Sequence, residues 1–337
     1  MNVDVKTALV DVNKMKRLLL LVGLLFWSCE DDRVEEPLVE NIQMWVNGTE
    51  IIAREYYESI TTYGTSEVQE DGSIKKTNYV INVKRGSKNG DNIVFAVDNE
   101  DSFLGMRART LLTKEPETIT WLDRMEEDDV LWDVGACVGS YSIYAAVRRG
   151  VRVVAFEPAS YNNYALERNI SLNKLNDKII NFPIGIGSDF AYTTLTHING
   201  LDMGSSANDI GTSAISKYRP GTTTGCVVDS IDNLVKEELP YPTHLKVDVD
   251  GAEPDVIEGA LKTIPTLKSI LIELFPTPQK HTTMYPYRKE HKKVIKDLEA
   301  MGFVLDEELT QQSFKRNERT RFKGQANYIF YGEDYAV

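Results

Sequence analysis

The stretch Val130-Leu131-Trp132-Asp133-Val134-Gly135-Ala136-Cys137-Val138-Gly139, followed by Ser140-Tyr141-Ser142-Ile143-Tyr144-Ala145-Ala146-Val147, decides the fold of this chain. A short apolar run ends in an acid, two glycines bracket a tight turn, and an apolar-periodic segment follows. This is the strand, glycine turn and helix of a nucleotide-binding α/β unit. Gly135 and Gly139 let the backbone turn sharply and approach a ligand where a Cβ would collide. The glycines stand at positions one and five, not in the G-x-G-x-x-G spacing of a dinucleotide loop. Ala136 and Cys137 therefore sit in a loop that need not cradle a pyrophosphate, and the spacing disfavours a nicotinamide dinucleotide.

Working outward, strand and helix patterns alternate. Val151–Phe156 reads as the next strand and ends in Glu157-Pro158; Tyr161–Leu172 reads as a helix and Ile179–Pro183 as a third strand. Residues 188–225, rich in Gly, Ser, Thr and Asn, read as a hairpin plus a long loop. Beyond them come a helix at Ser230–Leu239, a strand at Leu245–Val249 and a helix at Asp255–Ile264. A strand at Ser269–Glu273, a helix at Lys289–Met301 and a last strand at Asn327–Tyr331 follow. Alternation of this kind predicts a mostly parallel sheet with helices on both faces. Glu157 lies 24 residues after Asp133, where the first βαβ unit places an acid on ribose hydroxyls. Asp133 can order the loop and the helix start, or face a cofactor's ammonium group.

A second acidic cluster, Lys246-Val247-Asp248-Val249-Asp250-Gly251-Ala252-Glu253, falls at the end of another predicted strand. Strand alternation would point Lys246, Asp248 and Asp250 to one side, at the edge where open α/β sheets bind ligands. Acids so close raise one another's proton affinity, which suits a general base or a metal site. Asp250 or Glu253 can instead cap the following helix. Asp248-Val249-Asp250 also matches the DxD pattern of metal-dependent glycosyltransferases. Glu273 is a further acid at a strand end, and His281–Arg288, with Tyr285 and Tyr287, is a candidate border of an acceptor pocket.

The chain has 337 residues, 42% of them hydrophobic, with 38 Lys and Arg against 51 Asp and Glu for a net charge of −13. Such an acidic surface argues against a nucleic-acid partner. Cys29, Cys137 and Cys226 form no CxxC pair, and the histidines have no metal-ligand spacing, so neither a disulfide framework nor a metal site is assigned. Lys14, Lys16 and Arg17 precede an apolar run, Leu18–Trp27, which is too short to span a bilayer but resembles a signal-peptide core. The division read from the sequence is 1–40, an apolar and acidic segment that is a candidate signal or anchor; 41–112, a β-rich appendage; and 113–337, the main domain. A cytoplasmic protein is expected, with residues 14–29 as the candidate membrane contact.

Six features in order resemble the FkbM family of S-adenosylmethionine-dependent methyltransferases: Lys-Glu-Pro-Glu-Thr from Lys114, DVGACVGSYS from Asp133, AFEPASYNNYALERNISLNKL from Ala155, VVDSIDNL from Val227, LKVDVDGAEPDVIEGA from Leu245 and ILIELFP from Ile270. The resemblance implies a class I methyltransferase (Rossmann-like) fold with a seven-stranded, mostly parallel sheet. It implies S-adenosyl-L-methionine as cofactor and O-methylation of a hydroxyl on a sugar, glycan or natural-product acceptor. Carried over, Asp133, Gly135, Ala136, Cys137 and Gly139 shape the cofactor loop and Glu157, with Pro158, holds the ribose. Asp248, Asp250 and Glu253 stand near the transferring methyl, with Asp248 or Glu253 as proton acceptor. Cys137 departs from the family's usual Asn and lacks its amide donors and acceptors. Two other readings compete: a glycosyltransferase using Asp248 and Asp250 with a metal, and a non-catalytic, membrane-tethered binding protein.

Overall fold

The computed structural model describes residues 93–97, 102–211, 221–276, 290–318, 320 and 323–335 in full, and the backbone of strands at 43–46, 49–52, 60–68 and 74–83. The apolar run Leu18–Trp27, Cys29 and the His281–Arg288 tract lie outside the described residues. No helix among the described residues is long and apolar enough to cross a membrane.

Ahead of Phe103 the described residues form five strands: β1 (Gln43–Val46), β2 (Thr49–Ile52), β3 (Ile60–Val68), β4 (Ile74–Val83) and β5 (Ile93–Val97). The last three form an antiparallel sheet in the order β3-β4-β5. Helices α1 (Phe103–Arg109) and α2 (Pro116–Leu122) lead to β6 (Val130–Val134), α3 (Ser140–Arg149), β7 (Arg152–Phe156), α4 (Ser160–Leu172) and β8 (Ile179–Phe182). A second, four-stranded sheet follows from β9 (Gly185–Ile186), β10 (Ala191–His197), β11 (Asn208–Ile210) and β12 (Thr222–Asp229), in the order β11-β10-β12-β9. β10 pairs antiparallel with both β11 and β12, within and just beyond the stretch read as a hairpin plus a long loop. Then come α5 (Ile231–Leu234), β13 (His244–Val247), α6 (Glu253–Glu258), β14 (Ser269–Leu274), α7 (Glu290–Ala300), β15 (Phe303–Leu305), α8 (Glu307–Asn317) and β16 (Ala326–Gly332).

The central sheet has seven strands in the order β15-β16-β14-β13-β6-β7-β8, parallel throughout except for β16, which runs antiparallel to both its neighbours. This is the mostly parallel class I methyltransferase sheet expected from the sequence. Strand alternation sorts its side chains into two cores. Leu131, Val153, Ala155, Leu271 and Ile329 face Trp121, Ile143, Leu166 and Ile170 of α2, α3 and α4. Trp132, Val154, Phe156, Val247, Ile272 and Phe330 face Val256, Val294 and Leu298 of α6 and α7. Two buried faces explain why these strands read as nearly continuous apolar runs.

The first core also takes in Ile93, Phe95 and Val97 of β5. Asparagines on α4 cover this strand's outer edge: Val94 N–H donates to Asn173 Oδ1 (2.9 Å) and Ala96 N–H to Asn169 Oδ1 (3.0 Å), while Asn173 Nδ2 donates to Val94 O (2.7 Å). Such pairing satisfies groups that a bare edge strand would leave open. Asn169 Nδ2 also donates to Val138 O at 2.9 Å, so one asparagine ties the glycine loop to the preceding sheet.

Candidate active site

Chain order reverses between β6 and β13, and ligands of open α/β sheets sit beyond the carboxyl ends of the strands at such a switch point. The loops after β6 and β13 touch there. Asp248 N–H donates to Val134 O (3.0 Å), and a Cβ on Gly135 would lie 1.9 Å from the Asp248 carbonyl oxygen. Gly135 has φ +81° and Gly139 φ +82°, and a Cβ on Gly139 would meet Leu166 Cδ1 at 2.2 Å. Both glycines were expected to make room for a ligand. The chain's own neighbours already fill the space their side chains would need, so close loop packing dictates them.

Cys137 lies between them with φ +51°, a left-handed conformation that Asn and Gly adopt far more readily than other residues. That preference gives a backbone reason for an Asn at this position. The contact that fixes the loop uses the peptide: Cys137 N–H donates to Glu157 Oε2 at 2.9 Å. Ala159 N–H donates to Glu157 Oε1 at 2.8 Å. Glu157 is thereby locked at the end of β7, followed by the half-buried Pro158. Burial, only partly offset by these two hydrogen bonds, pushes its carboxyl up to about 7. Burial likewise raises the Cys137 thiol to about 11, which keeps it neutral.

Asp133 is spent inside the protein. Its Oδ2 accepts from the Ser142 hydroxyl at 2.6 Å, fixing the first turn of α3, and its Oδ1 stands 3.4 Å from Lys246 Nζ. Lys246 is in register with Asp133 on the adjacent strand and lies 3.5 Å from Asp248 Oδ2. Burial opposes its charge, but Asp133 and Asp248 outweigh burial and raise its proton affinity. Its ammonium also faces the Tyr141 ring, 5.3 Å from the centroid. The Tyr141 hydroxyl donates to Glu115 Oε2 (2.9 Å), which pairs with Lys114.

β13 ends at Val247, two residues short of the expected Val249, so strand alternation does not carry Asp250 to the face of Asp248. A left-handed turn at Asp250 (φ +58°) does so instead, and Asp250 Oδ2 accepts from Ala207 N–H at 2.8 Å. One carboxylate oxygen each from Asp248, Asp250 and Glu273 then lie within 4.8 Å of one another. Glu273, at the end of β14, has its carboxyl held well above the ordinary range, by burial first and then by Asp248, Glu115 and Asp250. Glu253 is fully buried beneath this cluster. Its Oε1 accepts from Val249 and Gly251 N–H, both at 3.1 Å, and its Oε2 lies 3.7 Å from His291 Nε2. Burial pushes the Glu253 carboxyl up to about 8.

Sequence reasoning missed Arg107, because it sits on a short helix ahead of every recognisable motif. Arg107 Nε donates to Gly204 O at 2.6 Å, and its charge acts on Cys137, Asp248, Asp250 and Glu157. The loop it holds packs so tightly on α1 that a Cβ on Gly204 would lie 2.7 Å from Leu104 N. Lys114 and the acids beside it were visible in the Lys-Glu-Pro-Glu-Thr run; Glu115 and Glu117 prove buried, and Asn327 Nδ2 donates to both (3.4 and 3.1 Å).

Comparison with known proteins places this site in a lineage. The chain is 27% identical over 176 residues to the hexuronic acid methyltransferase AglP of Haloferax volcanii, covering 50% of this chain and 65% of that one. It is 28% identical over 163 residues to the AMB antimetabolite synthetase AmbE of Pseudomonas aeruginosa, covering 39% of this chain and 8% of that much longer protein. The chain thus spans only part of the curated relatives it matches. Among solved structures it is similar to an FkbM methyltransferase from Methylobacillus flagellatus, at 14% identity and a TM-score of 0.39, covering 69% of this chain and 55% of that one. The model of the methyltransferase FkbM domain matches residues 133–305, from the acid beneath the glycine loop through both acidic clusters to the end of β15. This chain belongs to the FkbM methyltransferase family.

Proposed function

We propose that the chain transfers the methyl group of S-adenosylmethionine to a hydroxyl of a sugar, glycan or natural-product acceptor. The observation that carries this reading is the pairing, across one switch-point crevice, of a locked Glu157 with a partly open Asp248. The residues fit the cofactor. The loop Gly135–Gly139 holds no Lys or Arg to receive a phosphate, and the crevice is lined by carboxylates that suit a sulfonium, an ammonium and a ribose diol. Glu157 would hold the ribose, with Ala136 and Cys137 presenting backbone beside it. When bound, the cofactor supplies an electrophilic methyl on a positively charged sulfur.

The chain's own contribution is alignment, water exclusion and proton acceptance. Asp248, with 26% of its side chain exposed and Lys246 Nζ 3.5 Å from its Oδ2, takes the proton of the acceptor hydroxyl. Glu253 acts through the backbone: by holding Val249 and Gly251 it fixes the turn that presents Asp248 and Asp250. The segment around Gly204–Ala207, anchored by Arg107 and Asp250, closes the crevice on the side of α1. The relative that acts on hexuronic acid supports an acceptor of the sugar class. Such an acceptor offers hydroxyls and a carboxyl, and the product tells them apart. Incubation with methyl-labelled S-adenosylmethionine and a panel of uronic acids and neutral sugars is expected to give an alkali-stable methyl ether. An alkali-labile methyl ester, or no transfer to any hydroxylated acceptor, would overturn the reading.

A further inference from the structure

We propose that Asp248, Asp250 and Glu273 hold one divalent cation of the hard, oxygen-seeking class, magnesium, manganese or calcium, at the acceptor side of the crevice. Three carboxylates are the donor set such ions prefer. Ligand oxygens on opposite sides of a calcium ion are about 4.6–5.2 Å apart, and neighbouring ones are closer. The three carboxylate oxygens all lie within 4.8 Å of one another, close enough to share one ion of this class.

Three acids in proximity would not by themselves make a site; Glu273 supplies the independent observation. It is 8% exposed, yet its carboxylate forms no hydrogen bond and no ion pair among the described residues, and it points at Asp248 and Asp250. A buried polar group ordinarily has a hydrogen-bond partner. Donors on the neighbouring elements make their hydrogen bonds and ion pairs with other groups. Asn327, its register partner on β16, turns its amide to Glu115, Glu117 and Thr118. Lys246 serves Asp133 and Asp248, Arg316 serves Glu117, and Arg107 Nε serves Gly204 O.

The inference rests on the proposed function and deepens it. An ion held here polarises a hydroxyl of a polyol acceptor and lowers its pKa. Asp248 then ligates through one oxygen and takes the hydroxyl proton on the other. The oxygen forms its bond to the methyl carbon as the carbon–sulfur bond breaks, and the sulfur keeps the electron pair.

The test uses the full chain freed of metal by a chelator. Manganese binding is followed by electron paramagnetic resonance, magnesium and calcium by competition, and S-adenosylhomocysteine binding by calorimetry in the chelator. The expected result is one saturable manganese site, weakened roughly tenfold or more in Glu273→Gln and in Asp250→Asn. Affinity for S-adenosylhomocysteine in the chelator and the melting temperature of Glu273→Gln should be unchanged or higher. No saturable ion binding at millimolar concentrations overturns the proposal, as does wild-type ion affinity in both variants. Ion binding without any binding of S-adenosylhomocysteine would sustain the ion site and defeat the cofactor reading instead.

Discussion

Strands β13 and β14 carry polar groups at both ends, and the two ends are built on opposite plans. At their amino ends His244 and Ser269 are in register and close a network with Asp129. Trp121 Nε1 donates to Ser269 Oγ (2.8 Å), Ser269 Oγ lies 2.6 Å from His244 Nδ1, and His244 Nε2 stands 3.0 Å from Asp129 Oδ2. Glu126 N–H, Thr243 Oγ1 and Lys268 Nζ donate to the same carboxylate at 2.8, 3.1 and 2.7 Å. Despite burial, these donors hold the Asp129 carboxyl well below its ordinary range. At the carboxyl ends of these strands and of β7 nearby, the carboxyls of Glu253, Glu273 and Glu157 are all pushed upward, with burial the first cause. The amino end spends its polar groups on stability. The carboxyl end keeps acids in costly surroundings, the pattern found where groups await a ligand or a proton.

The comparison is broken most drastically at Gly135. Gly135→Ala places a Cβ against the Asp248 carbonyl at a positive φ, so the two loops part and cofactor binding is expected to be lost altogether, as calorimetry would register. Asp248→Asn leaves the loops in place. It should lower kcat about 10²–10⁴-fold while S-adenosylhomocysteine affinity and thermal stability stay near wild type. A stability loss with normal turnover would move Asp248 to the structural side of the contrast.

Asp129→Ala is the mirror experiment. Breaking the buried pair should cost about 3–4 kcal/mol in denaturant unfolding, with kcat per folded molecule unchanged. Because this carboxyl is held below its ordinary value, its contribution is complete at neutral pH and is lost as pH falls below about 4. Acid unfolding of wild type should therefore be steeper than that of Asp129→Asn.

Glu157 runs with the opposite sign. A carboxyl raised to about 7 favours the unliganded fold while protonated, and that contribution is lost as pH rises through about 7. With Glu157 holding the ribose as proposed, binding needs the ionised form, so cofactor affinity should fall about tenfold for each pH unit below 7. Glu157→Gln should bind weakly and lack this dependence. The smallest effect belongs to Cys137→Asn. Asn suits the left-handed backbone, and the Cys137 peptide, not the thiol, holds Glu157. Stability should rise by under about 1 kcal/mol with cofactor affinity unchanged.

The fold was legible because its signals are local. Two glycines and an apolar-to-helical change of period define β6 and α3, and the strand runs from Val151 to Ile272 follow the same rule. β15 and α8 were not anticipated: Gly302 and the helix cap Asp306 punctuate them, but a three-residue strand is too short to show a period of two. In the site, the acids at strand ends were legible one by one, but their partners were not. Nothing in the linear sequence tells that Glu253 is turned under its loop while Asp248 stays open. Nor does spacing reveal that Asp250 reaches the cluster through a left-handed turn, or that Arg107 returns from α1. Such facts belong to long-range packing, which single-residue patterns do not encode.

Under the proposed function the switch-point crevice, through Glu157, binds an S-adenosyl ligand. Titrating the purified full chain with S-adenosylhomocysteine in a calorimeter, at a series of pH values on both sides of 7, tests it most directly. The account predicts saturable one-to-one binding that weakens as pH falls below about 7 in wild type, and no such slope in Glu157→Gln. Absence of binding by wild type at every pH, or wild-type affinity in Glu157→Gln, would contradict it.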